Sequence, residues 1–371
     1  MRMVITGGGT GGHILPGLAL WRYVKAQHPD AELLYIGSEH GLEKGIVTRA
    51  GLPFATVEAA GLRRQVSVDA VKTVLVTYRG YRQALSRLRA FRPDVVVGTG
   101  GYVTLPVVFA ASRLRIPSVI WEANARPGLT NVVCARKADA VAVSFAGTER
   151  WFQRAPKVVL TGNPRASEVL GVSSQALREA RVKYGVDGRS KLILVYAGSR
   201  GAETVNDVML TLLPRLSSRP QWQLFYITGQ AHYDKVSSGA GSLPANVRLF
   251  PFMDDLAALL PQADVVVTRA GGATLAEVCS LGLASILIPS PYVTANHQEE
   301  NAKRLVEQGA AVMVREAELT AERLWDELVN ILERGVGERV RERARRLATP
   351  RAVEDLYQLV MEVQETGRVH Q

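Results

Sequence analysis

DVVVTRAGGATLAE, Asp264 to Glu277, reads as a buried strand running through a glycine turn into the first turns of a helix. Val265 to Thr268 supply the strand, and Gly271 and Gly272 let backbone approach a ligand closely. The helix that opens at Gly272, Ala273 and Thr274 presents unpaired N–H groups and the positive end of its dipole, so anions collect there. Glu277, four residues after Ala273, lies about one helical turn deeper, where a carboxylate can hold the two hydroxyls of a ribose without touching the phosphates. A plain βα turn of an α/β protein has the same local pattern.

The pattern recurs. Apolar runs meet glycine loops at MVITGGGTGGH (Met3 to His13), DVVVGTGGY (Asp94 to Tyr102) and LILVYAGSRGA (Leu192 to Ala202), which with the first stretch makes two such turns in each half of the chain. PDVVVGTGG and ADVVVTRAGG share DVVV and a closing GG and differ in length by one inserted residue, which implies two similarly built halves.

At 371 residues the chain is long for one core and fits two domains. With 47% hydrophobic and 22% charged residues it is of the globular class. Its longest apolar runs, such as LPVVFAA (Leu105 to Ala111), fall far short of the ~18 residues that span a bilayer, and the chain enters a strand almost at once, so neither export nor membrane spanning is indicated. Cys134 and Cys279 give neither a disulfide framework nor a zinc site and fit a reducing cytosol. The net charge of +10 asks for an acidic partner: phosphorylated small molecules, an anionic membrane surface or nucleic acid. With 6% aromatic residues and no nucleic-acid module in the pattern, no nucleic-acid partner is expected.

Along the chain, strand and helix alternate: MVIT, a helix from about Leu15 to Gln27, LLYIG, a short helix over Leu42 to Arg49, a long one over Val68 to Phe91, DVVVG, a helix near Leu105 to Leu114, PSVIWE and VAVS. This βα rhythm predicts an α/β fold of mostly parallel sheets with helices on both faces. GNP at Gly162 to Pro164 closes the first half. The rhythm restarts with LILVYAG and continues through QLFYITG, VRLFPF, the first stretch, SILIPSP and a helix from His297 to Gly309. Two doubly wound Rossmann-like domains facing a cleft follow, residues 1–163 and 164–349, with a C-terminal helix over about 350–371 crossing back onto the first.

GGGTGG satisfies G-x-G-x-x-G at Gly7, Gly9 and Gly12, but no acidic residue sits at the end of the second strand to take the ribose of a dinucleotide: Asp30 and Glu32 precede LLYIG, and Glu39 lies beyond it. His13, at a helix N-terminus, sees the positive dipole end, which favours a neutral imidazole able to act as a base; a plain helix-capping histidine is the alternative. No D-x-D occurs, and Asp254-Asp255 are adjacent rather than spaced to share a cation, so no metal is expected and helix ends must hold any diphosphate. Ser199 and Arg200 offer hydroxyl, N–H and charge to a phosphate, and His297-Gln298 suit sugar hydroxyls. The stretch VDAVKTVLVTYRGYRQALSRLRAF puts Val71, Val74, Leu75, Tyr78 and Tyr81 on one helical stripe with Lys72, Arg79 and Arg82 beside it and Arg63-Arg64 upstream. Either this is a membrane-docking patch (Val71, Leu75, Tyr78, Arg79, Arg82) or the stripe packs into the first core.

GGGTGGH, GTGGY, WEANARPGLTN, TGNPR, GSRGA, FMDD, TRAGGATLAE and NHQEENA, in this order, resemble the MurG family of bacterial peptidoglycan glycosyltransferases over nearly the whole chain. The resemblance implies a GT-B fold and inverting transfer of N-acetylglucosamine from UDP-N-acetylglucosamine to the C4 hydroxyl of lipid I, undecaprenyl-diphospho-N-acetylmuramoyl-pentapeptide, giving lipid II. It implies no cofactor, a peripheral place on the cytoplasmic, anionic face of the inner membrane, and other cell-wall synthesis proteins as further partners. Carried over, Glu277 matches the ribose-binding glutamate, Ser199 a phosphate-contacting serine, Gln298 a glutamine on the donor sugar, and Met253 a residue whose backbone recognises uracil, its side chain being free to vary. Thr10, Gly11, Gly12, Asn124 and Arg165 join Gly272, Ala273 and Thr274 on the donor side. Gly8, Gly9, Gly100, Gly101, Tyr102 and Asn131 fall on the acceptor side, with His13 as the base. Ala166 stands where some members carry arginine, and His297 where others carry glutamine. Two other classes also use such halves. A UDP-sugar epimerase would need acid and base groups on both sides of the sugar C2, and a nucleotide-sugar sensor would have no use for the glycine loops at 7–12 and 98–101.

Overall fold

The structure of the protein, a computed structural model, describes residues 1–39, 41–61, 68–198 and 201–369. It divides into two compact units, Met1–Ser167 with Arg351–Gln371, and Glu168–Pro350. Unit 1 runs β1 (Arg2–Gly7), α1 (Gly11–Gln27), β2 (Glu32–Gly37), α2 (Leu42–Arg49), β3 (Phe54–Thr56), α3 (Val68–Phe91), β4 (Val95–Gly100), α4 (Thr104–Arg113), β5 (Ser118–Glu122), α5 (Leu129–Cys134), β6 (Ala140–Val143) and β7 (Val158–Leu160). After α6 (Arg165–Leu170), unit 2 continues with α7 (Ser174–Tyr184), β8 (Lys191–Tyr196), α8 (Glu203–Leu212), β9 (Trp222–Ile227), α9 (Tyr233–Ala240), β10 (Val247–Phe250), α10 (Leu256–Leu259) and β11 (Val265–Thr268). It closes with α11 (Gly272–Leu281), β12 (Ala284–Leu287), α12 (His297–Glu307), β13 (Val312–Met313), α13 (Ala321–Leu332) and α14 (Val336–Arg346), and α15 (Ala352–Val369) follows.

Among the described residues, the first sheet has the order β3-β2-β1-β4-β5-β6-β7 and the second β10-β9-β8-β11-β12-β13. Neighbouring strands pair in parallel; Val265 faces Ile193 on one side and Ala284 on the other. Strands covered on both faces must be apolar throughout, which is why Val95–Val97 and Val265–Val267 are runs rather than alternations and are buried completely or nearly so. In unit 1, Leu356, Leu359, Val360 and Val363 of α15 join Met3, Ile5 and Trp121 in one core, so the C-terminal helix is structurally part of the first unit. The division falls after Ser167 rather than at the GNP turn. There the Ser167 hydroxyl accepts the Val353 N–H at 3.2 Å, tying the start of α6 to the start of α15.

Candidate active site

In a doubly wound sheet, the crevice for a ligand opens at the carboxyl ends of the strands where the strand order reverses. In the first sheet that point lies between β1 and β4, and the loops leaving it are GGGTGGH and GTGGY. In the second it lies between β8 and β11, and the loops are AGSRGA and TRAGG. All four glycine turns thus fall at the two reversals.

The two loops of unit 1 meet backbone to backbone. Gly8 N–H donates to the Gly100 carbonyl at 3.1 Å. Gly101 adopts φ +84°, and a Cβ there would run into the Gly8 backbone, so only glycine fits. Gly9, also left-handed, lies against the half-exposed Tyr102 ring. Helix α1 begins at Gly11 rather than near Leu15, because the Thr10 carbonyl accepts the N–H groups of His13 (3.1 Å) and Ile14 (3.3 Å). His13 is therefore in the first turn. Its Nδ1 sits 2.9 Å from the Gly8 carbonyl oxygen, which can only accept, so Nδ1 carries a proton and, in the neutral ring, Nε2 holds the lone pair. The ring packs on Gly100, where a Cβ would stand 2.8 Å from it.

In unit 2 the first rung of α11 runs from Leu275 N–H to the Gly271 carbonyl at 3.0 Å, which leaves the N–H groups of Gly272, Ala273 and Thr274 outside the helical ladder. Glu277 is 9% exposed and acts on Tyr196 at the end of β8, whose hydroxyl pKa is pushed up by burial first and by this carboxylate second. Buried Asn301 of α12 donates to the Ala270 carbonyl at 3.1 Å and fixes the turn from behind. The guanidinium of Arg269 does not hang free in the loop. It pairs with Glu316 at 2.6 Å and donates to the Ile288 carbonyl at 3.0 Å, while the Thr204 hydroxyl at the start of α8 donates to Glu316 at 2.8 Å. The two glycine turns of unit 2 are thereby joined through one buried carboxylate. Ser199 and Arg200 lie outside the described residues, between left-handed Gly198 and Gly201. Gln298 sits in the first turn of α12 with its Oε1 accepting Ser290 N–H at 2.9 Å, and His297 Nδ1 donates to the Thr294 carbonyl at 2.9 Å.

Residues 3–143 match the N-terminal domain of glycosyltransferase family 28, and residues 192–355 match its C-terminal domain. A Bacillus licheniformis protein named UDP-N-acetylglucosamine–N-acetylmuramyl-(pentapeptide) pyrophosphoryl-undecaprenol N-acetylglucosamine transferase is 45% identical over 372 residues, covering 99% of this chain and 100% of that one. One of the same name from Halalkalibacterium halodurans is 45% identical over 367 residues, 98% of this chain and 99% of its own. The crystal structure of Acinetobacter baumannii MurG matches with a TM-score of 0.77 at 27% identity, covering 97% of this chain and 99% of that one. The chain belongs to the MurG family. It is a glycosyltransferase with the GT-B fold.

Several MurG-family positions prove to be occupied by the protein's own bonds. Asn124 and Asn131 both donate their side-chain amides to Glu122, at 3.1 and 2.8 Å, and the N–H groups of Asn124 and Gly128 add two more bonds to the same carboxylate. Glu122 is fully enclosed, and burial, the largest influence, pushes its carboxyl pKa up against those four donors. The sequence reading passed over it. Asn131 is itself buried, so it shapes the loop after β5 from within. Arg165 opens α6, its N–H donating to the Asn163 side-chain oxygen at 3.0 Å. The Met253 side chain, expected to vary freely, is instead buried in the second unit's core with Leu194, Leu259 and Val266. Thr10, Gly11 and Gly12 open α1, with Thr10 and Gly12 exposed. Both cysteines are buried and free, burial pushing the Cys279 thiol up to about 12 and Cys134 higher, so they act as packing residues.

On α3, the stripe does not sink into the core. Leu75 is 55% and Tyr78 56% exposed, with Val74, Arg79 and Arg82 also exposed, whereas Tyr81 packs against the core. Ala84, Leu85 and Leu88 carry the buried face. Arg79 lies 4.0 Å from Glu58 across the surface. The Val71 and Lys72 side chains, and Arg63-Arg64, lie outside the described residues.

Proposed function

We propose that this protein transfers N-acetylglucosamine from UDP-N-acetylglucosamine to the C4 hydroxyl of lipid I, forming lipid II with inversion. The observation that carries the reading is 45% identity, end to end, with relatives named for that reaction. The geometry supports a division of labour between the units. The bare N–H groups at the start of α11 take the diphosphate, Glu277 takes the ribose, and the Met253 backbone and Gln298 serve uracil and sugar. In unit 1, the Nε2 lone pair of His13 receives the proton of the acceptor hydroxyl as its oxygen attacks the anomeric carbon, while the C1–oxygen bond to UDP breaks. The acceptor rests on the Gly8-Gly9, Gly100-Gly101 and Tyr102 loops. Labelled donor incubated with a lipid I analogue should yield a labelled lipid product; release of label only as free sugar, or no turnover, contradicts the proposal.

Departing UDP is stabilised by helix ends rather than by a bound cation. Asp255, one of the two adjacent acids after Met253, is paired with Lys183 at 2.6 Å. Activity should be unchanged in excess EDTA. A loss restored by Mg²⁺ or Mn²⁺ contradicts this step.

Docking to the membrane is peripheral in this reading and uses the exposed end of α3. Among the described residues no helix is long and apolar enough to cross a bilayer, and the exposed Val74, Leu75 and Tyr78 stand beside Arg79 and Arg82 on a chain of net charge +10. Vesicle binding should require anionic lipid and weaken steeply with ionic strength. Leu75→Glu with Arg79→Glu should abolish it and leave UDP affinity intact; a folded double variant that still binds places the docking face elsewhere.

A further inference from the structure

We propose that Glu43 is a positioning residue for His13, acting through the single peptide unit that joins Gly8 to Gly9. Glu43 stands in the first turn of α2 and is completely buried. A glutamate at a helix start would ordinarily lie in solvent near its own helix's N–H groups. Here it reaches under the glycine loop of β1 instead. One oxygen, Oε1, accepts the Ser38 N–H at 2.8 Å and the Ser38 hydroxyl at 2.5 Å. The other, Oε2, accepts the Gly9 N–H at 3.1 Å. Room for the side chain is made by three glycines: a Cβ on Gly8 would stand 2.5 Å from Oε1, one on Gly37 2.5 Å from the Glu43 Cγ, and one on Gly41 closer still to the carboxylate.

The Gly9 N–H and the Gly8 carbonyl are two ends of one amide, and the carbonyl end accepts from His13 Nδ1 at 2.9 Å. A negative charge on the N–H end polarises the amide and makes its oxygen a stronger acceptor, since hydrogen bonds in a chain reinforce one another at low dielectric. A stronger acceptor opposite Nδ1 favours the Nδ1–H tautomer, which leaves Nε2 as the lone-pair nitrogen. The arrangement is a carboxylate–histidine couple with one amide interposed. The neighbouring carbonyl is held from the same side, as the Tyr35 hydroxyl donates to Gly7 oxygen at 2.9 Å, so β2 and α2 together fix the path of the loop.

The inference rests on His13 being the base, but its test does not. The readout is the long-range ¹H–¹⁵N spectrum of the full-length protein with ¹⁵N-labelled histidine, recorded at alkaline pH, with the His13 signals identified by their loss in His13→Ala. In the native protein Nδ1 should resonate as a protonated, pyrrole-type nitrogen and Nε2 as a pyridine-type one. In Glu43→Gln the two should move toward each other as the tautomers mix, and kcat should fall roughly tenfold or more, as when an orienting partner of a functional histidine is lost, with donor KM unchanged. If Glu43→Gln fails to fold, Glu43→Asp takes its place with the same expected shift, because it keeps the charge and withdraws it from the Gly9 N–H. Ser38→Ala, which touches only the other oxygen, should leave the His13 spectrum native. An unchanged His13 spectrum in a folded Glu43 variant overturns the proposal. A shifted spectrum with undiminished kcat upholds the positioning and refutes His13 as the base.

Discussion

His13→Ala is expected to lower kcat by roughly 10²–10⁴-fold, the range contributed by a positioned general base, with little change in donor KM. The expectation follows from one hydrogen bond and one packing contact rather than from the residue type. The Gly8 carbonyl accepts the Nδ1–H, which puts the lone pair of the neutral ring on Nε2, and the start of α1 holds the ring against Gly100, so the side chain has one orientation to lose. An alanine there leaves the helix start intact, because the bonds that set it are donated by backbone N–H groups to Thr10. Steady-state kinetics with a soluble lipid I analogue measures the effect. Near-native turnover in a folded variant would move the base to another group or to solvent.

Glu277→Ala is expected to act on the other parameter, raising donor KM at least about tenfold, since losing a charged hydrogen bond to a ribose costs about 1.5–3 kcal/mol and 1.4 kcal/mol is a factor of ten. Glu277 is 9% exposed, so water replaces the lost contact poorly. The 2′-deoxy donor separates direct contact from general damage. It should already be a poor substrate for the native enzyme and lose little more with the variant, because the two changes remove opposite ends of one bond. Losses that simply add would contradict the contact.

Much of the fold was legible because parallel strands buried on both faces write themselves as unbroken apolar runs, and because glycine turns follow them at the sheet reversals. DVVVG and DVVVT fall on β4 and β11, and the helices over Leu42–Arg49 and Val68–Phe91 have the bounds their sequence pattern predicts. What stayed hidden were elements and residues defined by distant partners. The two-residue strand β13 exists only as a rung beside β12. Glu43, Glu122 and Glu316 look in sequence like solvated carboxylates, and each is buried beneath a glycine turn or beside the site. Glu316 takes its partners Arg269 and Thr204 from remote segments and Glu43 reaches back to Gly9, so no local spacing announces them, whereas the donors of Glu122 all lie in the loop and helix start that follow it, within the next nine residues. Met253 failed as a freely variable position for the same reason: its packing partners on β8 and β11 are remote in sequence.

The most direct measurement of the central claim is the structure of the sugar product formed from UDP-N-acetylglucosamine, by proton NMR, with a lipid I analogue present and then omitted. Inverting transfer predicts a β-linked N-acetylglucosamine on the acceptor C4 hydroxyl, formed only when acceptor is present, with the C2 configuration retained. A C2-epimerised nucleotide sugar, an α-linked product, or a donor that binds and returns unchanged in the presence of acceptor would contradict it.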